Sequence, residues 1–186
     1  MEATLPKRAD AVRNRERVVA AAAAVFAERG VDASVPDVAA RAGVGKATVY
    51  RSFPTKEHLI AAVVIERLAD FEARATALRD APDAWAAFEQ LLVEGAARHC
   101  ADKAISAGIS AGIDLPELAA ARASLWRAVE RLMERAKAQG AMRRDVRPDD
   151  LRVLWGGVAR MLVAEGVRDP GEWRRYAALV VGALRA

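Results

Sequence analysis

Hydrophobic residues recur at helical intervals along almost the whole chain. In the first segment they recur at helical spacing, which places their side chains on one face of an α-helix. These positions are Val12, Val18, Val19, Ala22, Val25 and Phe26. The pattern predicts a first helix over residues 9–28, and Gly30 follows as its stop signal.

Two shorter helices are predicted next, joined by a tight turn. Ser34 is expected to cap the second helix, with Asp37 three residues later and Pro36 in the first turn. Gly43 ends this helix, and a third helix is predicted over residues 45–53. Two short helices joined by a three-residue turn form a helix-turn-helix.

The third predicted helix has one apolar side and one side that is small, cationic and hydroxylic. At 100° per residue, Val49 and Phe53 face the first helix. The opposite side carries Ala47, Thr48, Arg51 and Ser52, and Lys46 lies at the exposed N-terminus. No acidic residue lies between Gly43 and Lys56. Such a face suits the major groove of DNA, and although a plain surface helix is the alternative, the preceding helix and the tight turn favour DNA.

Five further helices are predicted in the rest of the chain. They are expected to begin at Thr55, Pro82, Pro116, Pro148 and Asp169. Residues 101–118 contain several glycines and are predicted to form a short helix followed by a loop. The fold class is therefore all-α, with a three-helix domain over residues 1–54 and a larger helical domain over residues 55–186.

Composition narrows the class of protein. The 186 residues are 53% hydrophobic and 29% charged, which is typical of a globular chain. No apolar run reaches the roughly 20 residues of a membrane helix, and no signal-peptide core follows Met1. The single Cys100 cannot form an internal disulfide, so no membrane association and a cytoplasmic location are expected.

The positive charge is concentrated in the first third of the chain. The net formal charge is only +4, and the first 60 residues hold ten Lys and Arg against seven Asp and Glu, an excess of three. A solvated charged surface is the plain explanation of so small a bias. Nonspecific packaging of DNA would need a much larger positive charge.

The segment "SVPDVAARAGVGKATVYRSFPTKEHLIAAV", residues 34–63, resembles the TetR family of bacterial transcriptional regulators. The matching positions are Ser34, Ala42, Gly43, Val44, Ala47, Thr48, Val49, Tyr50, Phe53, Lys56 and Glu57. Two positions depart from the family pattern, because Gly45 stands where serine is usual and Ser52 where histidine is common. The expected cost of Gly45 as a helix cap is a few tenths of a kcal/mol.

The resemblance implies a set of contacts with double-stranded operator DNA. Phosphate contacts are expected from Ser34, Thr48, Tyr50 and Lys56. Base-edge contacts are expected from Lys46, Ala47 and Arg51. Arg8, Arg13 and Arg15 either reach neighbouring phosphates or remain solvated, and Ser52 leaves one phosphate contact open.

The resemblance also implies a homodimer whose last two long helices form a four-helix bundle with those of the partner. The candidate interface residues are Leu151, Leu154, Val158, Leu162, Trp173, Ala177, Val180, Val181 and Leu184. Packing within one chain is the alternative explanation of the same apolar pattern.

A small-molecule effector is expected in the larger domain. Its aromatic and apolar candidates lie on separate predicted helices: Phe71, Trp85, Phe88, Trp126 and Met133. Polar groups are expected from His99, Cys100, Ser106 and Ser110. Because apolar pockets with few polar groups bind hydrophobic ligands, we expect an uncharged or weakly charged effector, with a dry packed core as the alternative.

The residues offer no catalytic constellation. The sequence has two histidines, His58 and His99, and one cysteine, Cys100. The side chains of His99 and Cys100 diverge by about 100° on a helix, so they do not form a nucleophile–base pair. Nucleotide-binding and metalloprotease motifs are missing, so no enzyme activity, cofactor or metal is expected.

The sequence predicts a TetR-type repressor released from a palindromic operator by its effector; a helical protein-interaction module without specific DNA binding is the alternative.

Overall fold

The computed structural model describes residues 5–30, 32–101 and 112–186. Over these residues the chain forms eight helices and no strand, which confirms the all-α prediction. The helices are α1 (Leu5–Arg29), α2 (Val35–Ala42), α3 (Lys46–Ser52), α4 (Lys56–Ala77), α5 (Ala84–Ala101), α6 (Pro116–Ala138), α7 (Pro148–Ala164) and α8 (Pro170–Gly182). Most of the short helix and loop predicted over residues 101–118 lies outside the described residues.

The ends of the short helices follow from local hydrogen bonds. The Ser34 hydroxyl accepts a hydrogen bond from the Asp37 N–H at 3.3 Å, and the Asp37 carboxylate accepts one from the Ser34 N–H at 2.9 Å. This reciprocal pair is the predicted capping box. Gly43 ends α2 with a φ of 65°, a left-handed conformation in which a Cβ is strained.

The caps of the longer helices agree only in part with the sequence pattern. The Thr55 hydroxyl accepts a hydrogen bond from the His58 N–H, as predicted for the start of α4. Asp169 caps α8 through the Gly171 N–H at 2.9 Å. The position of Glu172, three residues after Asp169 in the sequence, also predicts a capping box there. That prediction is wrong, because Glu172 pairs with Arg175 at 3.5 Å.

The first hydrophobic core joins the three N-terminal helices to the beginning of α4. Val18, Val25 and Phe26 of α1 are buried in it, together with Val49 of α3. Val12 is exposed, so its assignment to the apolar face of α1 is wrong; it lies one turn or more beyond the packed part of that helix.

The second core lies among the later part of α4 and helices α5 to α8. Leu68 of α4 packs against both cores, and Leu59–Val64 lie in the first one although they follow residue 54. A third cluster joins Cys100 to Trp173 and Leu162. The division into residues 1–54 and 55–186 stays a prediction, and α4 is a rigid element shared by the two cores.

Within the described part of the chain, no helix is both long and apolar enough to cross a membrane.

Candidate DNA interface and effector cavity

The tight turn of the helix-turn-helix is fixed by a residue far away in sequence. One guanidinium nitrogen of Arg17 donates a hydrogen bond to the carbonyl oxygen of Ala42 at 2.7 Å. That carbonyl belongs to the last turn of α2, where carbonyl groups lack partners within the helix. Arg17 therefore anchors the end of α2 to α1, a role that the sequence pattern did not indicate.

Two ion pairs fasten the other side of α2 to α1. Arg41 contacts the Glu28 carboxylate with two nitrogens at 2.7 and 3.2 Å, and Arg29 contacts Asp37 at 3.1 Å. The hydrogen bond from Arg41 lowers the pKa of the Glu28 carboxyl below its ordinary value. Exposed pairs contribute little energy, so these contacts orient α2 more than they stabilise the fold.

Helix α3 is set into this framework by its apolar side. Val49 is buried, and Phe53 packs in the same core beneath the guanidinium of Arg15, which lies 5.0 Å from the ring centroid. The opposite side of α3 is exposed at Lys46, Ala47, Tyr50, Arg51 and Ser52, while Thr48 is half-buried. The predicted division of α3 into a packed and an outward side is thus present in the structure.

In the part of the chain that the structure describes, the cations on the outward side of α3 have no acidic partners. Lys46 lies 5.6 Å from the ring centroid of Tyr50, one helical turn further along. In residues 5–30, 32–101 and 112–186, no carboxylate forms an ion pair with Lys46 or Arg51. An exposed surface with cations, a hydroxyl and a phenol remains available to phosphates and base edges.

The remaining predicted DNA contacts lie at helix starts and on α1. Ser34 is exposed but its hydroxyl already donates to the Asp37 carboxylate at 2.6 Å, and Lys56 is half-buried in the first turn of α4. Arg13 pairs with Asp10, and Arg15 packs on Phe53. The side chain of Arg8 lies outside the described residues.

A cavity of about 690 Å³ lies between α4, α5, α6 and α7. Phe71, Trp126 and His99 line it, as predicted for an effector site. Trp155 of α7 also lines it, and the sequence pattern had not singled it out. Gly95 lets the Phe71 ring lie against α5, because a Cβ at that position would overlap the ring.

Four residues predicted to line the effector site do not line this cavity. Trp85 and Phe88 pack on each other in the second core, with ring centroids 5.9 Å apart. Met133 is fully buried in that core. Cys100 is buried in the third cluster, where burial raises the pKa of its thiol. The lining of this cavity therefore does not support these four assignments, because the side chains pack against other helices. Ser106 and Ser110 lie outside the described residues.

The predicted dimer residues are mostly used inside the protomer. Seven of the nine are buried in its own cores: Leu151, Leu162, Trp173, Ala177, Val180, Val181 and Leu184. Val158 is half-buried, and Leu154 is exposed. The Trp173 indole N–H donates a hydrogen bond to the Val167 carbonyl at 3.0 Å, so the polar group of this buried side chain has a partner. The apolar stripe of α8 thus packs against the protomer's own helices, and the assignment of these residues to a dimer interface stays a prediction.

A different apolar surface of α7 and α8 faces outward. Its members, here called the outer α7–α8 face, are Val153 (71% exposed), Leu154 (41%), Met161 (61%) and Leu179 (59%). Because α7 and α8 pack on each other, these exposed hydrophobic side chains are candidates for an interaction surface.

The histidines are held by aromatic and capping contacts. The His99 ring stacks on Trp173 with centroids 5.1 Å apart, and His58 lies 2.9 Å from the Thr55 hydroxyl. Among the described residues, no group of three or more His, Cys, Asp and Glu side chains has a geometry that could hold a metal ion.

This geometry defines a class of protein: a DNA-binding regulator with a helix-turn-helix and a cavity-bearing helical domain. Residues 18–63 match the tetR family of bacterial regulatory proteins, and residues 80–186 match the C-terminal domain of SbtR-like transcriptional regulators. The chain therefore belongs to the TetR family of bacterial transcriptional regulators. No curated protein sequence matches it.

Solved structures share the fold over nearly the whole chain. A TetR transcription regulatory protein from Mycobacterium vanbaalenii is 30% identical, with a TM-score of 0.60 over 97% of this chain and 100% of that one. A TetR transcriptional regulator from Streptomyces coelicolor is 29% identical, with a TM-score of 0.61 over 92% and 98%. SmeT, the repressor of a Stenotrophomonas maltophilia multidrug efflux pump, is 21% identical, with a TM-score of 0.69 over 92% and 90%.

Proposed function

We propose that the protein is a homodimeric repressor that binds a palindromic operator and releases it when a small molecule fills the cavity. Its place of action would be the cytoplasm, where bacterial operators lie. The observation that carries the proposal is the outward side of α3, whose base is buried in the first core and whose Lys46 and Arg51 form no ion pair with any described carboxylate.

Base recognition is assigned to Lys46, Ala47 and Arg51. Their side chains are exposed on a short helix, and Ala47 permits close approach to the groove. Phosphate contacts are assigned to Thr48, Tyr50, Lys56 and Ser34, whose hydroxyls and ammonium group suit phosphate oxygens. Because the Ser34 hydroxyl donates its hydrogen to Asp37, its contact with a phosphate oxygen would be made through a bridging water.

Dimerisation is assigned to the outer α7–α8 face. A second copy of the chain is the natural partner, because a two-fold axis brings the same face from each protomer together. Leu154 is retained from the sequence prediction, and Val153, Met161 and Leu179 replace the residues buried in the protomer. Two recognition helices related by that axis would then enter successive major grooves.

Coupling between cavity and DNA is assigned to α4. Leu59 and Val63 of this helix lie in the first core, while Leu68 and Phe71, two and three turns later, line the cavity. A ligand that moves Phe71 would tilt a helix whose other end positions α3. Such a ligand releases operator only if it binds the released arrangement more tightly.

Helix α6 supplies a second connection. Leu118 in its first turn is buried in the first core, and Trp126 and Val129 further along line the cavity. The cavity is therefore lined by two helices, α4 and α6, that also pack in the first core. Both helices would transmit a change in the volume of the cavity to α3.

The decisive experiment is selection of genomic DNA fragments by the purified protein, followed by gel shifts. We expect enrichment of an inverted repeat with half-sites about one helical turn or a little more apart. Enrichment without any sequence preference would contradict the proposal and favour the protein-interaction module.

A further inference from the structure

The cavity wall combines an apolar floor with an unusual number of cations. Leu68, Phe71, Leu125, Trp126 and Trp155 supply the apolar part. Among the described residues, six arginines line the same cavity, against a single carboxylate from Asp70. Arginine stays charged at any physiological pH, so this side of the cavity is permanently cationic.

Two of the six arginines are engaged with carboxylates. Arg67 lies 3.9 Å from Asp70. Arg152 contacts Glu130 at 2.6 Å and Asp149 at 2.7 Å, and its guanidinium lies 5.1 Å from the Trp126 ring centroid. These two arginines are neutralised locally and shape the wall.

The other four have no such neutralisation. Arg74, Arg98, Arg122 and Arg160 form no ion pair with any carboxylate in residues 5–30, 32–101 and 112–186. Arg122 is half-buried beside Leu125 and Trp126, so its charge is only partly solvated by water. A half-buried cation without a counter-charge is costly, and an anionic ligand group would relieve that cost.

We propose that the effector is an amphipathic anion, with an apolar body against the aromatic wall and one acidic group held at Arg122. The inference rests on the proposed effector cavity and replaces the uncharged or weakly charged effector that the sequence suggested. Charge-assisted hydrogen bonds from a planar guanidinium are strong and directional, and a carboxylate accepts two of them. A cationic ligand would be repelled by the same wall.

The test uses matched ligand pairs and direct binding to the protein without DNA. Three carboxylic acids with biphenyl, naphthyl and decyl bodies are compared with the corresponding alcohols and amines by tryptophan fluorescence and calorimetry. We expect acids to bind about 10- to 100-fold more tightly than alcohols of the same body, and amines to bind most weakly.

Arginine variants locate the acidic group. Arg122→Met should weaken acid binding about 10- to 100-fold while leaving alcohol binding unchanged. Arg127→Met, an exposed position on the same helix that does not line the cavity, is the matched control and should change neither. Circular dichroism checks that both variants keep the fold.

The inference is overturned if no acid in the series binds, if alcohols bind as tightly as acids, or if the Met variants at 122 and 127 behave alike. Operator release by the same acids is measured separately in gel shifts. Tight acid binding without operator release would leave the anion site intact and count against the proposed repressor mechanism.

Discussion

Arg29 and Arg41 pair with carboxylates on a neighbouring helix, whereas Lys46 and Arg51 pair with none in the described residues. This difference between cations of one small domain separates structural charges from those available to DNA. Arg17 has a third role, because its guanidinium donates a hydrogen bond to a backbone carbonyl oxygen.

At Lys46 and Lys56 the expected effects on DNA binding differ in kind. Lys46→Ala should relax preference at one base position in each half-site, at a cost of about 1–3 kcal/mol. Lys56→Ala should weaken binding to all sequences and reduce the salt slope by roughly 0.9 per lost phosphate contact, or about 2 per dimer. Gel shifts across base-substituted operators and salt concentrations measure both; an unchanged slope for Lys56→Ala would contradict its assignment.

The capping box of α2 should make stability depend on pH. Hydrogen bonds from the Ser34 hydroxyl and N–H lower the pKa of the Asp37 carboxyl below its ordinary value. A carboxylate with a lowered pKa stabilises the fold above the unfolded pKa of about 3.9, and that contribution is lost as pH falls through the folded pKa. Asp37→Asn should therefore unfold at a lower temperature than wild type at pH 7.

The control for Asp37→Asn is the same comparison in acid. The difference in melting temperature should shrink as the pH falls below the unfolded pKa of about 3.9 towards the lowered pKa of folded Asp37, because the wild-type carboxyl is progressively protonated. A difference that stays constant between pH 7 and pH 3 would show that the charge of Asp37 does not contribute.

Among the helices, α5 carries a glycine in its interior for a steric reason. Gly95 would be about 1 kcal/mol better as alanine in an isolated helix, but its Cβ would overlap the Phe71 ring of α4. Gly95→Ala should destabilise the wild-type protein by about 1–3 kcal/mol through overpacking. In a Phe71→Ala background, the same change should stabilise by about 0.5–1 kcal/mol.

Denaturant unfolding of the four proteins in this double-mutant cycle measures the coupling between positions 71 and 95. Equal effects of Gly95→Ala in both backgrounds would show that the position of the Phe71 ring does not require a glycine at residue 95. A sign reversal is the expected result, and it would locate the Phe71 ring on the backbone of α5.

For the whole molecule, the adjacent residues Leu179 and Val180 should respond differently to the same substitution. Leu179→Glu should leave the protomer folded and give monomers that no longer bind operator, because Leu179 lies on the outer α7–α8 face. Val180→Glu should lower the free energy of unfolding by more than about 2 kcal/mol, because an unpaired charge would enter the second core.

Light scattering and thermal unfolding distinguish these two outcomes. A dimer that persists in Leu179→Glu would place the interface on another surface. A fully stable Val180→Glu protein would show that Val180 is not part of the protomer core.

Local chemistry along the chain was enough to predict the helices and the helix-turn-helix. Glycine stops, the Ser34 capping box and the two-sided character of α3 depend on residues a few positions apart, whose spacing is set by helical geometry. The outward placement of Lys46, Ala47 and Arg51 followed from the same periodicity and needed no knowledge of other elements.

Only the tertiary structure decided which surface each apolar helix face packs against. Periodicity marks Trp173, Ala177 and Val181 as a packing face, but it cannot tell whether that face meets its own chain or a second copy. The arginine-rich cavity wall and the contact from Arg17 to Ala42 also join distant segments. Such contacts depend on how whole helices pack against one another, which helical spacing within a single segment does not determine.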